Sequence, residues 1–309
     1  MGKILGSYNN GNYKVILLND GTKIRYNMSD SFMPSTVESM DIKITNQCDM
    51  GCKMCHENST VDGKHGDIMN ATFIDKLHPY TELAIGGGNP LSHPDLIPFL
   101  EKCKQLKLIP SMTVNQKHFM ANIPLLKKLA EAKLIYGLGV SLTKITSEVL
   151  SAIKEFEHAV IHVINGLITV KELQQLAKQD FKVLILGYKE FRRGQILYSN
   201  PEAKFEIDAN KAALKNKLRV MLDEQWFKVL SFDNLALEQL DVKSLMNPKE
   251  WEEFYMGDDG IGHKFDSATM YIDMVEKKFA KNSCDPVRFE LLPTVEEMFN
   301  HLQTLYVNK

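Results

Sequence analysis

Three of the chain's five cysteines, Cys48, Cys52 and Cys55, lie in the single run Asn46-Gln47-Cys48-Asp49-Met50-Gly51-Cys52-Lys53-Met54-Cys55-His56. At C-x3-C-x2-C spacing the three thiols must converge from a curved loop on one small object. Thiolate sulfur is a soft ligand, and it selects zinc or an iron–sulfur cluster. A closed site of either kind takes four ligands. The other two cysteines are distant: Cys103 falls in a predicted helix, and Cys284 lies near the far end. Zinc would need His56 or His65 to complete a Cys3His set. A four-iron cube on three thiolates keeps one iron open to an outside ligand, much as a catalytic zinc keeps an open position. Clustered thiols and an odd cysteine count make a poor disulfide framework and point to a reducing compartment, so a cytoplasmic location is expected.

Such a loop needs a rigid base. From Asp41 the sequence alternates strand-like and helix-like runs. Strands are predicted at Asp41–Thr45, Glu82–Ile85, Ile109–Val114, Tyr136–Leu142, Ala159–Ile164 and Lys182–Leu186. Helices are predicted at Thr72–His78, Pro94–Leu106, Ile123–Ala132, Ser147–Phe156 and Val170–Lys178, with Thr146 and Thr169 placed as N-caps. After the second strand the starts recur about every 23–27 residues, the period of one βα unit. The first interval is longer and contains the cysteines. Repeated βα units give parallel strands, in a barrel-like or an open doubly wound sheet. In both, ligands gather at the carboxyl ends of the strands. The cysteine loop and the run Gly86-Gly87-Gly88-Asn89-Pro90 both fall there. Glycines at that place let backbone approach a ligand closely.

The cysteine spacing after the first strand of a βα series resembles the radical S-adenosylmethionine (SAM) superfamily. The glycine run is similar to that family's Gly-Gly-Glu-Pro motif, with Asn89 in place of the glutamate. Asparagine keeps an acceptor oxygen and loses the charge, which favours a backbone role. The resemblance implies a partial (β/α)6 barrel within an α/β fold. It implies a [4Fe–4S] cluster on Cys48, Cys52 and Cys55, whose open iron binds the amino and carboxylate groups of SAM. Reductive cleavage would then give methionine and a 5′-deoxyadenosyl radical, which abstracts hydrogen from a substrate. By the same resemblance Gly86 to Pro90 hold the amino end of SAM. Asn115 and Ser141 lie near its ribose or carboxylate, and His56, Gly187 and Tyr188 lie near the adenine. Asn165 and Gly166 end the fifth strand and read equally as turn residues.

The resemblance covers residues 41–190. Before it, residues 1–40 read as a β-hairpin appendage, with Tyr13–Leu18 and Thr22–Tyr26 joined by Asn19-Asp20-Gly21. Beyond the core at 41–194, residues 195–309 read as an irregular α+β extension that closes the barrel and shapes a substrate pocket. That extension holds predicted helices at Pro201–Glu224, Leu235–Leu240, Pro248–Tyr255 and Thr294–Leu305. Its predicted strands are Phe227–Phe232 and a terminal β pair, Met270–Val275 with Lys278–Ala280. The basic stretch Tyr188–Gly194 reads as an anion holder or a solvated connector, and Asp258, Asp259 and His263 as a glycine-rich surface turn.

A net charge of −2 argues against a nucleic-acid partner. The first thirty residues lack the apolar core of a signal peptide, and no apolar run is long enough to span a bilayer. The expected partners are SAM, a peptide or small-molecule substrate, and an electron donor such as flavodoxin or ferredoxin. A glycyl-radical-enzyme activase is the alternative within the family, although its usual cysteine-rich insert is missing here. The alternative of another class is a non-catalytic zinc-binding interaction protein.

Overall fold

The structure is a computed structural model and describes residues 2–28, 32–249, 251 and 268–307. The Asp258, Asp259 and His263 turn lies outside them, as does most of the predicted helix Pro248–Tyr255.

The appendage is an antiparallel sheet of β1 (Ile4–Asn10), β2 (Tyr13–Leu18) and β3 (Lys23–Tyr26). The β2–β3 hairpin is the predicted one; β1 is an addition. Glu38, fully buried at the entrance to the main sheet, ties the appendage down. It accepts hydrogen bonds from Tyr13 Oη at 2.5 Å and Arg25 Nε at 3.0 Å, and it pairs with Lys23 at 3.3 Å.

The main sheet begins with β4 (Ser39–Thr45), β5 (Glu82–Gly87), β6 (Ile109–Asn115), β7 (Gly137–Ser141), β8 (Ala159–Ile164) and β9 (Lys182–Leu186). These are the six predicted strands. Each pairs in parallel with the next in chain order. The extension adds β10 (Val229–Phe232), parallel to β9, and β11 (Thr269–Asp273), parallel to β4 on the opposite flank. Antiparallel β12 (Lys278–Ala280) and β13 (Phe289–Glu290) finish the sheet in the order β10-β9-β8-β7-β6-β5-β4-β11-β12-β13. The sheet stays open at its ends. Because the order never reverses, right-handed crossovers lay their helices on one face only. This is the winding of a partial barrel. A doubly wound sheet would reverse at a switch point.

The crossovers carry α1 (Leu96–Gln105), α2 (Gln116–Ala121), α3 (Ile123–Glu131), α4 (Ser147–Lys154) and α5 (Val170–Leu176). Then come α6 (Arg193–Tyr198), α7 (Pro201–Asp223), α8 (Asn234–Gln239) and, after the last strand, α9 (Val295–Val307). Thr146 caps α4, and Thr169 forms a capping box with Glu172 on α5. The predicted helix Thr72–His78 shrinks to one 3-10 turn, Ile74–Lys76. Pro79 disfavours helical backbone at His78, so the turn cannot grow.

Ile42, Ile44, Leu83, Ile85, Val114, Val140, Ile161 and Val183 are buried in the core. Alternate residues point the other way. On that second face Asp41 and Ala84 are solvent-exposed although they sit mid-strand in neighbouring strands. A parallel sheet covered on both faces would bury them. Their exposure leaves that part of the inner face open, while Lys43 and Thr45, further along the same face of β4 toward the cysteine loop, are buried.

Candidate metal centre

β4 ends at Thr45, and the chain enters a loop that is laced to itself. Asn46 N–H donates to Lys64 O at 2.8 Å, Cys48 N–H to Thr60 O at 2.7 Å, and Gly66 N–H to Ile44 O at 2.8 Å. Gly51 turns the loop with φ of +60°, a value open to glycine at little cost. All three cysteines are free and half-buried. Burial pushes the Cys48 and Cys52 thiols up, as do the neighbouring thiolates; Arg193 pulls both down. A cationic centre among the sulfurs would reverse the upward push.

The glycine run is stitched onto this loop. Gly88 N–H donates to Thr45 O at 2.8 Å, and Asn89 N–H to Gln47 O at 2.7 Å. Gly87 has φ of +110°, and a Cβ there would sit 2.4 Å from Thr45 O. A Cβ on Gly88 would sit 2.2 Å from Gln47 O, whereas one on Gly86 would meet nothing within 4 Å. Gly87 and Gly88 therefore serve the backbone contact, and Gly86 leaves an open cradle. Asn89 accepts from Leu91 N–H and caps the turn Pro90–Ser92, with Pro90 buried in it.

Asn115 and Ser141 are the last residues of β6 and β7 and stand in register. Asn115 also caps α2 by accepting from Lys117 N–H at 2.9 Å. Gly187 and Tyr188 follow β9. Gly187 N–H donates to Asp233, and Tyr188 N–H to Gln239. The Tyr188 ring is buried beside Tyr198, and its hydroxyl donates to Gly194 O at 2.8 Å. Asn165 is likewise tied to Gln239, and Gly166 takes φ of +90°. His56 lies 3.4 Å from Glu57 and 3.4 Å from Lys189 Nζ; burial and the Lys189 charge hold its pKa down. His65 is occupied by Thr45 Oγ1 at 2.9 Å and packs edge-on to His93. Cys103 is buried in α1, where burial pushes its thiol up to about 12. Cys284 follows β12, 3.9 Å from Ser283 Oγ, and Ser283 accepts from Lys189.

Two features were not anticipated. One is a buried charge cluster under the loop: Lys43 lies 3.1 Å from both Glu57 and Asp273, and Tyr271 Oη donates to Glu57. Lys43 between Ile42 and Ile44 was its only sequence signal. The other is that the basic stretch after β9 grips the cysteine loop. Arg192 donates to Glu57 O and Arg193 to Ser59 O.

The donor set suits an iron–sulfur cluster: three free, soft thiols share one short loop, and Gly86 beside it faces open space. Residues 42–195 match the family model of the Radical SAM superfamily, and the chain belongs to that superfamily. Its members bind a [4Fe–4S] cluster and SAM. The fold is similar to that of Streptococcus suis SuiB bound to its precursor peptide SuiA, with a TM-score of 0.55 and 14% identity over 84% of this chain. This chain spans 63% of the length of that one. SuiB bound to S-adenosylmethionine matches with a TM-score of 0.53, 14% identity and coverage of 84% of this chain and 64% of that one. anSMEcpe with bound AdoMet matches with a TM-score of 0.55, 13% identity, and coverage of 87% and 84%. No curated protein matches the chain in sequence. Among the described residues no helix is long and apolar enough to cross a membrane.

Proposed function

We propose that the chain is a radical SAM enzyme that abstracts hydrogen from a peptide. The observation that carries this reading is the stitching of Gly88 and Asn89 to Thr45 and Gln47, which joins the three-cysteine loop to an open glycine cradle. Cys48, Cys52 and Cys55 hold the cluster. Gly86 to Pro90 receive SAM through backbone, Asn115 and Ser141 orient it, and His56, Gly187 and Tyr188 border its adenine. When bound, the reduced cluster and SAM together supply a 5′-deoxyadenosyl radical.

Residues 41–194 form the core, with the appendage before it. Residues 195–309 close the barrel, and the exposed inner face at Asp41 and Ala84 receives the substrate. SuiB, of similar fold, was captured with a precursor peptide, which favours a peptide over a small metabolite. A flavodoxin or ferredoxin supplies the electron, and the reducing cytoplasm keeps the thiols free.

Anaerobic reconstitution tests the reading. A brown protein with about four irons per chain, releasing 5′-deoxyadenosine under strong reductant, is expected. Cys52→Ala should lose both colour and SAM cleavage. A colourless protein holding one zinc would make this a zinc-binding module instead.

A further inference from the structure

Arg193 opens α6 directly against the cysteine loop. Its Nη2 donates to Ser59 O at 2.6 Å, and Thr60, the next residue, accepts from Cys48 N–H at 2.7 Å. Gly194 brings the same stretch of backbone to Met54 O, between Cys52 and Cys55; a Cβ at Gly194 would lie 3.4 Å from that oxygen. The preceding Arg192 takes φ of +50° and ψ of −122°, a conformation that side-chain-bearing residues rarely adopt. The strained turn sends two successive arginines onto the loop, since Arg192 donates to Glu57 O at 2.9 Å.

The two arginines differ in one respect. Arg193 Nε is buried and has no hydrogen-bond partner among the described residues. Buried N–H groups on a guanidinium are costly to leave unmet.

We propose that Arg193 is an electrostatic determinant of the cluster, holding a positive charge and a spare N–H donor against the group bound by the three cysteines. This rests on the assignment of an iron–sulfur cluster to those residues. A cation and N–H donors beside cluster sulfurs favour the more negative, reduced state and raise the reduction potential. Arg193 thereby eases the cluster's uptake of an electron.

The test is a redox titration of the anaerobically reconstituted full chain, followed by the electron paramagnetic resonance signal of the reduced cluster. Arg193→Gln is expected to lower the reduced-to-oxidised ratio about tenfold at fixed potential, which is about 59 mV for one electron. Arg193→Lys keeps the charge and loses the Nε donor, so its potential should fall between the two. A wild-type potential in Arg193→Gln overturns the inference. If Arg193→Gln loses its iron, Arg193→Lys decides, and a wild-type value there overturns it equally. Wild-type protein that binds no iron would instead remove the proposed cluster, so the two failures are distinguishable.

Discussion

Lys43 on β4 and Glu57, two residues past Cys55, form a buried ion pair at 3.1 Å. Burial pushes the Glu57 carboxyl up, but the hydrogen bond from His56 and the charge of Lys43 prevail and hold it well below the usual carboxylate range. Lys43 also pairs with Asp273 on β11. The cysteine loop is thus bolted through the first strand to a strand contributed 230 residues later.

Removing one partner of such a pair leaves a buried charge only partly compensated. Glu57→Ala should cost about 3 kcal/mol, read from the urea midpoint of the metal-free chain. Glu57→Gln keeps the Tyr271 hydrogen bond and should cost less. Equal losses in the two variants would mean that the lost charge alone, with no share from packing or the Tyr271 hydrogen bond, accounts for this joint.

The three glycines should separate by role. Gly87→Ala and Gly88→Ala drive a methyl into the carbonyls of Thr45 and Gln47, which are backbone atoms and cannot swing aside. Both should destabilise the chain by about 2 kcal/mol or more. Gly86→Ala meets open space. Its stability should stay within about 1 kcal/mol of wild type, while the methyl occupies the cradle proposed for SAM. Equilibrium dialysis of SAM against the reconstituted variant checks this. Undiminished binding in Gly86→Ala would place the cradle elsewhere.

The sequence pattern carried the core because the strands repeat one local rule: apolar residues at alternate positions are buried. Ala159–Ile164 and Lys182–Leu186 appear at their predicted bounds. Helix ends were less legible. The chain turns left-handed after α1, α3 and α7 at Lys107, Lys133 and Gln225, where a glycine would have signalled the stop. The partners of β10 and β11 were hidden for another reason. The terminal pair of β11 with β12 is local and was legible, but pairing across long stretches of chain leaves no local trace, so the parallel partners β9 and β4 were not. The same holds at the site. Cysteines and glycines announce themselves by spacing, but Glu57, Asp273 and Arg193 become a group only once the sheet brings them together.

His162 on β8 faces the inner side of the sheet, where a Cβ on Gly139 would meet its ring at 2.4 Å. Burial lowers its pKa to about 4. Between that value and the ordinary 6.5 the unfolded chain binds a proton that the folded chain refuses. Stability therefore declines as pH falls from 6.5 toward 4, by at most about 3 kcal/mol. His162→Gln should flatten that part of the urea-midpoint profile in the metal-free chain. An unchanged slope would assign the acid loss to other groups.

Asp49, within the cysteine run, reaches across to α2. It accepts from His118 at 2.5 Å and from Lys117 at 3.0 Å, and those two hydrogen bonds hold its carboxyl down at about 2. His118 is buried, while Asp49 is 52% exposed. Ion pairs with an exposed member add little to global stability, so Asp49→Ala should cost no more than about 1 kcal/mol. Its effect should be local. The carboxylate, a His118 ring nitrogen and Cys48 Sγ lie within 4.8 Å of one another, so releasing Asp49 frees the backbone next to Cys48, a proposed cluster ligand. The reconstituted Asp49→Ala protein should surrender iron to a chelator several-fold faster than wild type at an unchanged urea midpoint. Asp49→Asn keeps acceptor oxygen for His118 and should fall between them. If iron release in Asp49→Ala matches wild type, the contact with α2 does not restrain the loop.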